Sequence, residues 1–243
     1  MIVVIPIGGL GKRFKDAGYT FPKILVPVRN KPILQWAVES LGLPDAKHIF
    51  VCHEDDLKQW PIREMCEQLV PGSVVVAEEV RKGAASAVLH GLAHGELPDD
   101  ELIIANSDQW LDWEVDHFLT AMRAEDVQGG IPVFRSVHPR WSYARINEKG
   151  QVAEVAEKRP ISPWATCGVY YWQSSHQFVA AARAMIAKEI RTNGEYYVAP
   201  VYNELLGWGG TVGVYNRLTM YGLGTPEDLE EFRIAVCSGR IPG

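Results

Sequence analysis

The first half of the chain alternates between two hydrophobic periods. Short apolar runs stand at Ile2-Val3-Val4-Ile5, His48–His53, Ser73–Ala77 and Leu102–Ala105. Runs this short and this apolar predict strands buried on both faces, as in a parallel sheet. Between them the spacing becomes helical. In Lys31–Leu41 the apolar residues fall at 33, 34, 37, 38 and 41, with Pro32 suited to a first turn. Leu57–Leu69 reads as a helix broken near Pro61, and Gly83–Leu92 as a helix of small residues. The second half changes character. Gly130–Phe134, Tyr143–Ile146, Val152–Ala156 and Gly168–Trp172 are strands in quick succession, two of them joined by a turn at Asn147–Gly150. Helices follow at Phe178–Glu189 and Val198–Leu206, then a strand at Gly209–Tyr215. A last helix opens on Thr225-Pro226-Glu227-Asp228, with Thr as cap, Pro in the first position and acids in the first turn. The expected fold is α/β: a Rossmann-like, mixed, mostly parallel central sheet flanked by helices, with an added β-rich lobe. One domain over 1–243 is expected, in halves of 1–125 and 126–243 with a cleft between them.

Composition narrows the classes. The 243 residues are 47% hydrophobic and 22% charged, with a net charge of −6. These values suit a globular protein with a substantial core. They argue against a general binder of nucleic acid or membrane surface. No run reaches the roughly 18 apolar residues of a membrane span. The N-terminal run lacks a charged leader region and a cleavage pattern, so it reads as a strand. Cys52, Cys66, Cys167 and Cys237 are widely spaced, which suggests reduced thiols and a cytoplasmic location.

The densest chemistry lies in Met1–Val28. The first strand runs into Gly8-Gly9-Leu10-Gly11, followed by Lys12, Arg13 and, after Pro22, Lys23. Glycines let backbone N–H groups approach a bulky ligand, and the cations add full charge, so a polyphosphate is the natural guest. Two common phosphate loops fail. Pro6 stands where a Walker A loop needs Gly, and Arg13 where it needs Ser or Thr. Phe14 replaces the last Gly of a dinucleotide fingerprint. Gly9-Leu10-Gly11-Lys12-Arg13 with Pro22-Lys23 and Leu25-Val26-Pro27-Val28 instead resembles the signature of the nucleotidylyltransferases that make nucleotide sugars from sugar phosphates.

That resemblance implies roles for further residues. Asp108, just past the strand 102–105, would hold Mg²⁺ against phosphate oxygens; read by itself it could equally cap a helix near Trp113–Ala124. Gly83-Ala84-Ala85-Ser86-Ala87 resembles a segment that packs against base and ribose, though small residues also serve close helix packing. Glu78 stands where some relatives carry a base-reading Gln. An ionised carboxylate only accepts hydrogen bonds, which hints at cytosine or guanine, although a strand-end acid needs no such role. Glu157-Lys158 resembles the element that takes acceptor hydroxyls and acceptor phosphate; the alternative is a surface ion pair. Tyr143, Gly168 and Glu195 are expected in the acceptor pocket. One position departs: Gly222, before Gly224-Thr225-Pro226, stands where many relatives have a second metal-binding Asp. Asp108 and phosphates could suffice, Asp112 or Glu195 could help, or the chain could bind without turnover. His90 and His94 read as solvent-facing, since the Glu of a zinc motif is missing. Trp110, Trp113, Trp141, Trp164 and Trp172 read as core or pocket walls.

The expectation is therefore nucleotidyl transfer. A sugar 1-phosphate attacks the α-phosphorus of an NTP, with Arg13 and Lys12 on the β,γ-phosphates, Lys23 on the α-phosphate, Lys158 on the incoming phosphate and Mg²⁺ on Asp108. The expected partners are an NTP and a phosphorylated small molecule, with no nucleic acid or membrane, and a homo-oligomer is compatible. Rivals are a cytidylyltransferase for a phosphorylated alcohol or amino-acid derivative, a glycosyltransferase of similar fold, and a nucleotide-sensing domain.

Overall fold

The computed structural model describes residues 1–9, 11–94 and 98–241. The elements in order are β1 (Ile2–Ile7), α1 (Lys12–Asp16), β2 (Pro27–Val28), β3 (Lys31–Pro32), α2 (Ile33–Leu41), β4 (Lys47–His53), α3 (Glu54–Gln59) and α4 (Ile62–Leu69). They continue with β5 (Val74–Glu78), α5 (Ala84–Ala93), β6 (Leu102–Ala105), β7 (Gln109–Trp113), α6 (Val115–Ala124) and β8 (Gly129–Arg135). The second half holds β9 (Ser142–Ile146), β10 (Val152–Glu157), β11 (Trp164–Thr166), β12 (Val169–Trp172) and α7 (Ser175–Ala187). It closes with α8 (Tyr202–Gly207), β13 (Val212–Tyr215), β14 (Leu218–Gly222) and α9 (Pro226–Cys237).

One sheet runs through both halves in the order β10-β9-β11-β8-β12-β6-β1-β4-β5, with β13 parallel against β8. The strands β5, β4, β1 and β6 are mutually parallel. From β12 onward the path is antiparallel. The expected mixed sheet, parallel in the first half with an added β region, is the one observed.

Both faces of β1 are buried, which explains its uniform apolarity. Ile2 and Val4 face a core shared with α5 and α7, whereas Val3, Ile5 and Ile7 face one shared with α2 and α6. Trp172, fully buried, stacks on Tyr202 at 4.5 Å, and the Tyr202 hydroxyl donates to the Tyr171 carbonyl at 2.7 Å. A third core joins the start of the chain to its end: Phe14, Val26 and Trp36 pack with Leu229 and Phe232 of α9.

Three local readings change. Pro32 caps α2 rather than sitting inside it, because Lys31–Pro32 pair with Pro27–Val28 as a small hairpin. Residues 109–113 are a strand, not an approach to a helix, and they pair with β14. Val198–Leu206 splits into a 3-10 turn at Ala199–Val201 and α8. No helix among the described residues is long and apolar enough to cross a membrane.

Trp172→Ala is expected to cost about 3–5 kcal/mol, the usual range for a buried aromatic. Urea unfolding should show a lower midpoint with an unchanged slope. A loss under about 1 kcal/mol would mean that the Trp172–Tyr202 stack is not a load on the fold.

Candidate active site

The site is built where β1 and β6 end. Their parallel register, Ile2 against Leu102 and Val4 against Ile104, releases both chains at one edge of the sheet. β1 delivers Gly8, Gly9 and Gly11; β6 delivers Asn106, Ser107 and Asp108. Gly11 is left-handed, with φ 57°, and starts α1. Phe14 is driven into the core under α9, which leaves Lys12 and Arg13 exposed on the other side. Leu10, the remaining residue of that loop, lies outside the described residues.

Lys23 sits on a 3-10 turn at Lys23–Leu25 and pairs with the Asp108 carboxylate. Gly224 makes room for this pair: a Cβ there would lie 3.0 Å from Asp108 Oδ2, whereas one on Gly9 would be in ordinary contact, 3.5 Å from Lys23 Nζ. The Leu223 N–H donates to the Asp108 carbonyl at 2.7 Å, which ties β14 to the end of β6.

Two cavities meet at this pair. One, of about 300 Å³, is bordered by Gly8, Gly9, Glu78, Arg81 and Gly83. The other, of about 620 Å³, is bordered by Arg13, Trp141, Ser142, Glu157, Lys158 and Gly168. Lys23, Ala84, Asn106, Asp108 and Tyr197 border both. A third, of about 480 Å³, opens outside the glycine loop between Lys12, Arg13 and Arg81.

The electrostatics differ on the two sides. Glu78 is buried, its oxygen 3.3 Å from where a Gly8 Cβ would stand. Burial raises its carboxyl above the usual range, and His53, His90 and Arg81 pull it partly back. Glu157 accepts from the Ser142 hydroxyl. Burial raises this carboxyl too, against the opposing pulls of Ser142 and Lys158. Lys158 holds a left-handed backbone, φ 54°, a conformation a non-glycine residue adopts at a cost. Its ammonium donates to the Tyr197 hydroxyl at 2.5 Å and lies 4.4 Å from the ring centre. Burial and the Glu195 carboxylate hold the Tyr197 hydroxyl protonated. Among the described residues no three His, Cys, Asp or Glu side chains converge to hold a metal ion.

Residues 2–198 match the family described as nucleotidyl transferase. The chain belongs to that family. It is 28% identical over 177 residues to a low-salt glycan biosynthesis nucleotidyltransferase from Haloferax volcanii, covering 69% of this chain and 48% of that protein. It is 26% identical over 191 residues to a glucose-1-phosphate thymidylyltransferase from Streptomyces griseus, covering 74% of this chain and 52% of that one. The chain thus spans about half the length of the curated relatives it matches. Among solved structures, a nucleoside-diphosphate-sugar pyrophosphorylase from Vibrio cholerae superimposes with a TM-score of 0.81 at 24% identity, covering 96% of this chain and 100% of that chain. A UDP-glucose pyrophosphorylase complexed with UDP-glucose superimposes at 0.77 and 17% identity, over 98% and 99% of the two chains. The fold is that of these pyrophosphorylases.

Within this nucleotidyltransferase fold the nominated residues sort unevenly. Gly8, Gly9, Gly11, Lys12, Arg13, Lys23, Glu78, Gly83, Ala84 and Asp108 gather around the glycine loop. Glu157, Lys158 and Gly168 gather across the cleft. Tyr143 borders neither cavity at the Lys23–Asp108 pair. It is fully buried and its hydroxyl donates to the His138 carbonyl at 2.6 Å, so it supports the loop that carries Arg140 and Trp141. Glu195 borders the glycine-loop side rather than the acceptor side. Gly83 is also a packing glycine: at φ 109°, its Cβ would stand 2.5 Å from the Tyr196 amide nitrogen. Asp108 caps no helix, since a strand follows it.

At Gly222 a Cβ would lie 3.2 Å from the Trp141 indole and 3.4 Å from Asp228 Oδ2, and Arg140 pairs with Asp228 at 2.8 Å. The acid beside position 222 is therefore Asp228. Asp112 borders a separate cavity next to His117. His90 is exposed and bonds the Ala77 carbonyl at 2.9 Å, as a solvent-facing histidine can. Sequence reasoning missed Arg81, Asn106, Gln109, Arg140, Tyr197 and Asp228. Arg81, Asn106, Gln109 and Tyr197 carried a signal, each within two residues of a nominated position.

The Glu157 carboxyl is raised in the folded chain, so the fold binds its proton more tightly than the unfolded chain does. This penalises ionised Glu157 in full above the raised value and is relieved below about pH 4, near the ordinary value. Glu157→Gln should therefore be more stable than wild type at neutral pH, with the gap closing toward acid. Equal melting temperatures at every pH would contradict this.

Proposed function

We propose that this chain transfers a nucleoside monophosphate from an NTP to a sugar 1-phosphate, giving a nucleotide sugar and pyrophosphate, for surface polysaccharide synthesis. The observation that carries the reading is the junction of two cavities at Lys23 and Asp108. One cavity has a glycine loop and cations; the other has Lys158 and Glu157. Two ligands seated there would meet at the groups both cavities share. Residues 1–125 serve as the nucleotide half and 126–243 as the acceptor half, in a cytoplasmic enzyme; its four unpaired cysteines fit a reducing compartment.

The chemistry is in-line displacement. An oxygen of the acceptor phosphate forms a bond to the α-phosphorus, and the bond to the β-phosphate bridging oxygen breaks. Pyrophosphate leaves with that electron pair. The nucleophile is already an anion, so positioning and charge neutralisation suffice. Lys12 and Arg13 take the β,γ-phosphates. Lys23 moves from Asp108 to the α-phosphate as charge develops, and Lys158 holds the incoming phosphate. Glu157 accepts from acceptor hydroxyls. Asp108 fits Mg²⁺, which takes one or two carboxylates beside phosphates and waters. When bound, the ion neutralises charge on nucleotide oxygens.

The test is pyrophosphate release with Mg²⁺, using five NTPs against sugar 1-phosphates and phosphorylated alcohols or amino-acid derivatives. Lys23→Ala should lower turnover about a hundredfold or more, as removal of a transition-state charge partner does. Turnover only with a non-sugar phosphate would transfer the reading to a cytidylyltransferase of that class. Silence with every pair would refute catalysis.

Glu78 supplies a separate prediction about the base. A buried carboxylate facing the nucleotide cavity accepts hydrogen bonds and donates none. GTP or CTP should be used in preference to UTP and dTTP, and Glu78→Gln should narrow that preference at least about tenfold, roughly the discrimination of one good base contact. Lower pH should narrow it as well, because the raised carboxyl gains a proton first. Wild-type preference for UTP or dTTP would end this assignment.

A further inference from the structure

Among the described residues, Arg81 is the one cation bordering the glycine-loop cavities that no motif nominated. It stands between β5 and α5, three residues past Glu78. Its guanidinium makes two bonds in different directions. Nε donates to the Gly8 carbonyl at 3.1 Å, and Nη2 donates to Asp56 Oδ2 at 2.6 Å. Asp56 lies on α3, so a second element holds the fork in place. Both side chains are three-quarters covered. An ion pair at that depth, with a bond of 2.6 Å, is better defined than a surface pair.

The Gly8 bond has a geometric consequence. The Gly8 carbonyl and the Gly9 N–H belong to one planar trans peptide and point in opposite directions. Fixing the oxygen on Arg81 fixes where the Gly9 N–H points. Glycine at both positions would otherwise leave that plane free to turn. Arg81 also borders the two cavities next to the loop, together with Gly8 and Lys23 in each. Its charge is therefore delivered to the same space as its restraint. Lysine could not do both, because one ammonium lacks the planar fork.

We propose that Arg81 is a positioning residue for the phosphates of the nucleotide: held by Asp56, it clamps the Gly8 carbonyl so that the Gly9 N–H is presented to a polyphosphate. This rests on the reading of the site as one for an NTP. It assigns Arg81 to nucleotide and pyrophosphate, not to the acceptor.

Inorganic pyrophosphate is a base-free probe of this role. It would be titrated calorimetrically with Mg²⁺ into the full chain as wild type, R81A, R81K and D56N, with the acceptor KM and thermal midpoint measured alongside. R81A should weaken pyrophosphate about tenfold or more, the size of one lost charged hydrogen bond. R81K should recover only part of the loss, and D56N should fall between wild type and R81A. Acceptor KM should stay within about twofold, since the lost contact lies outside that cavity. Pyrophosphate binding by R81A equal to wild type would overturn the inference. So would full rescue by R81K, which would reduce Arg81 to a charge, or a parallel loss of acceptor affinity and thermal stability. A wild-type chain that binds neither pyrophosphate nor any NTP would overturn the nucleotide reading itself, a result distinct from equal binding by wild type and R81A.

Discussion

The parallel pairing of β1 with β6 is the constraint on which the site depends. Two strands in the same direction and register must end at the same edge. The chain after β1 carries glycines and cations; the chain after β6 carries a carboxylate. Neither segment makes a site alone. Backbone pairing to β4 on one side and β6 on the other holds β1 in this register, between two apolar layers. The Lys23–Asp108 ion pair is the visible product of that register.

The second half uses the same sheet differently. β12 lies antiparallel to β6, with Val169 opposite Ala105, and so brings Gly168 beside Asn106. The Asn106 backbone N–H donates to the Gly168 carbonyl at 2.9 Å, and Gln109 Nε2 donates to the same oxygen at 3.1 Å. Gly168 is left-handed, with φ 81°, and its Cβ direction is filled by Gln109 and Asn106. These bonds tie the strand that carries Gly168 to the segment that carries Asp108. The segment around Tyr196 closes the other side. Its amide and carbonyl bond Lys82 and Ala85 at 2.9 and 3.0 Å, which seats Tyr197 against Lys158.

The strands and the loop chemistry were legible because each depends on neighbours in the sequence. Apolar runs marked β1, β4, β5 and β6, and glycines beside cations marked the loop that borders the cavities. The features that local patterns did not show share a cause. β7 and β14 are short and partly exposed, and each exists only because the other pairs with it across more than a hundred residues. Tyr143 was assigned by a motif, yet its register turned it into the core. Glu195 was expected in the acceptor pocket, and the seating of Tyr196 on Gly83 puts it at the border of the glycine-loop cavities.

The sequence by itself determined the family, the α/β class and the identity of the charged groups, since these follow from local periodicity and from residue types at short spacing. Only the tertiary structure decided which charges meet. Arg81 reaches Gly8 across 73 residues, and Arg140 reaches Asp228 across 88. Such contacts are set by packing of elements distant in sequence, and no local pattern encodes their distance.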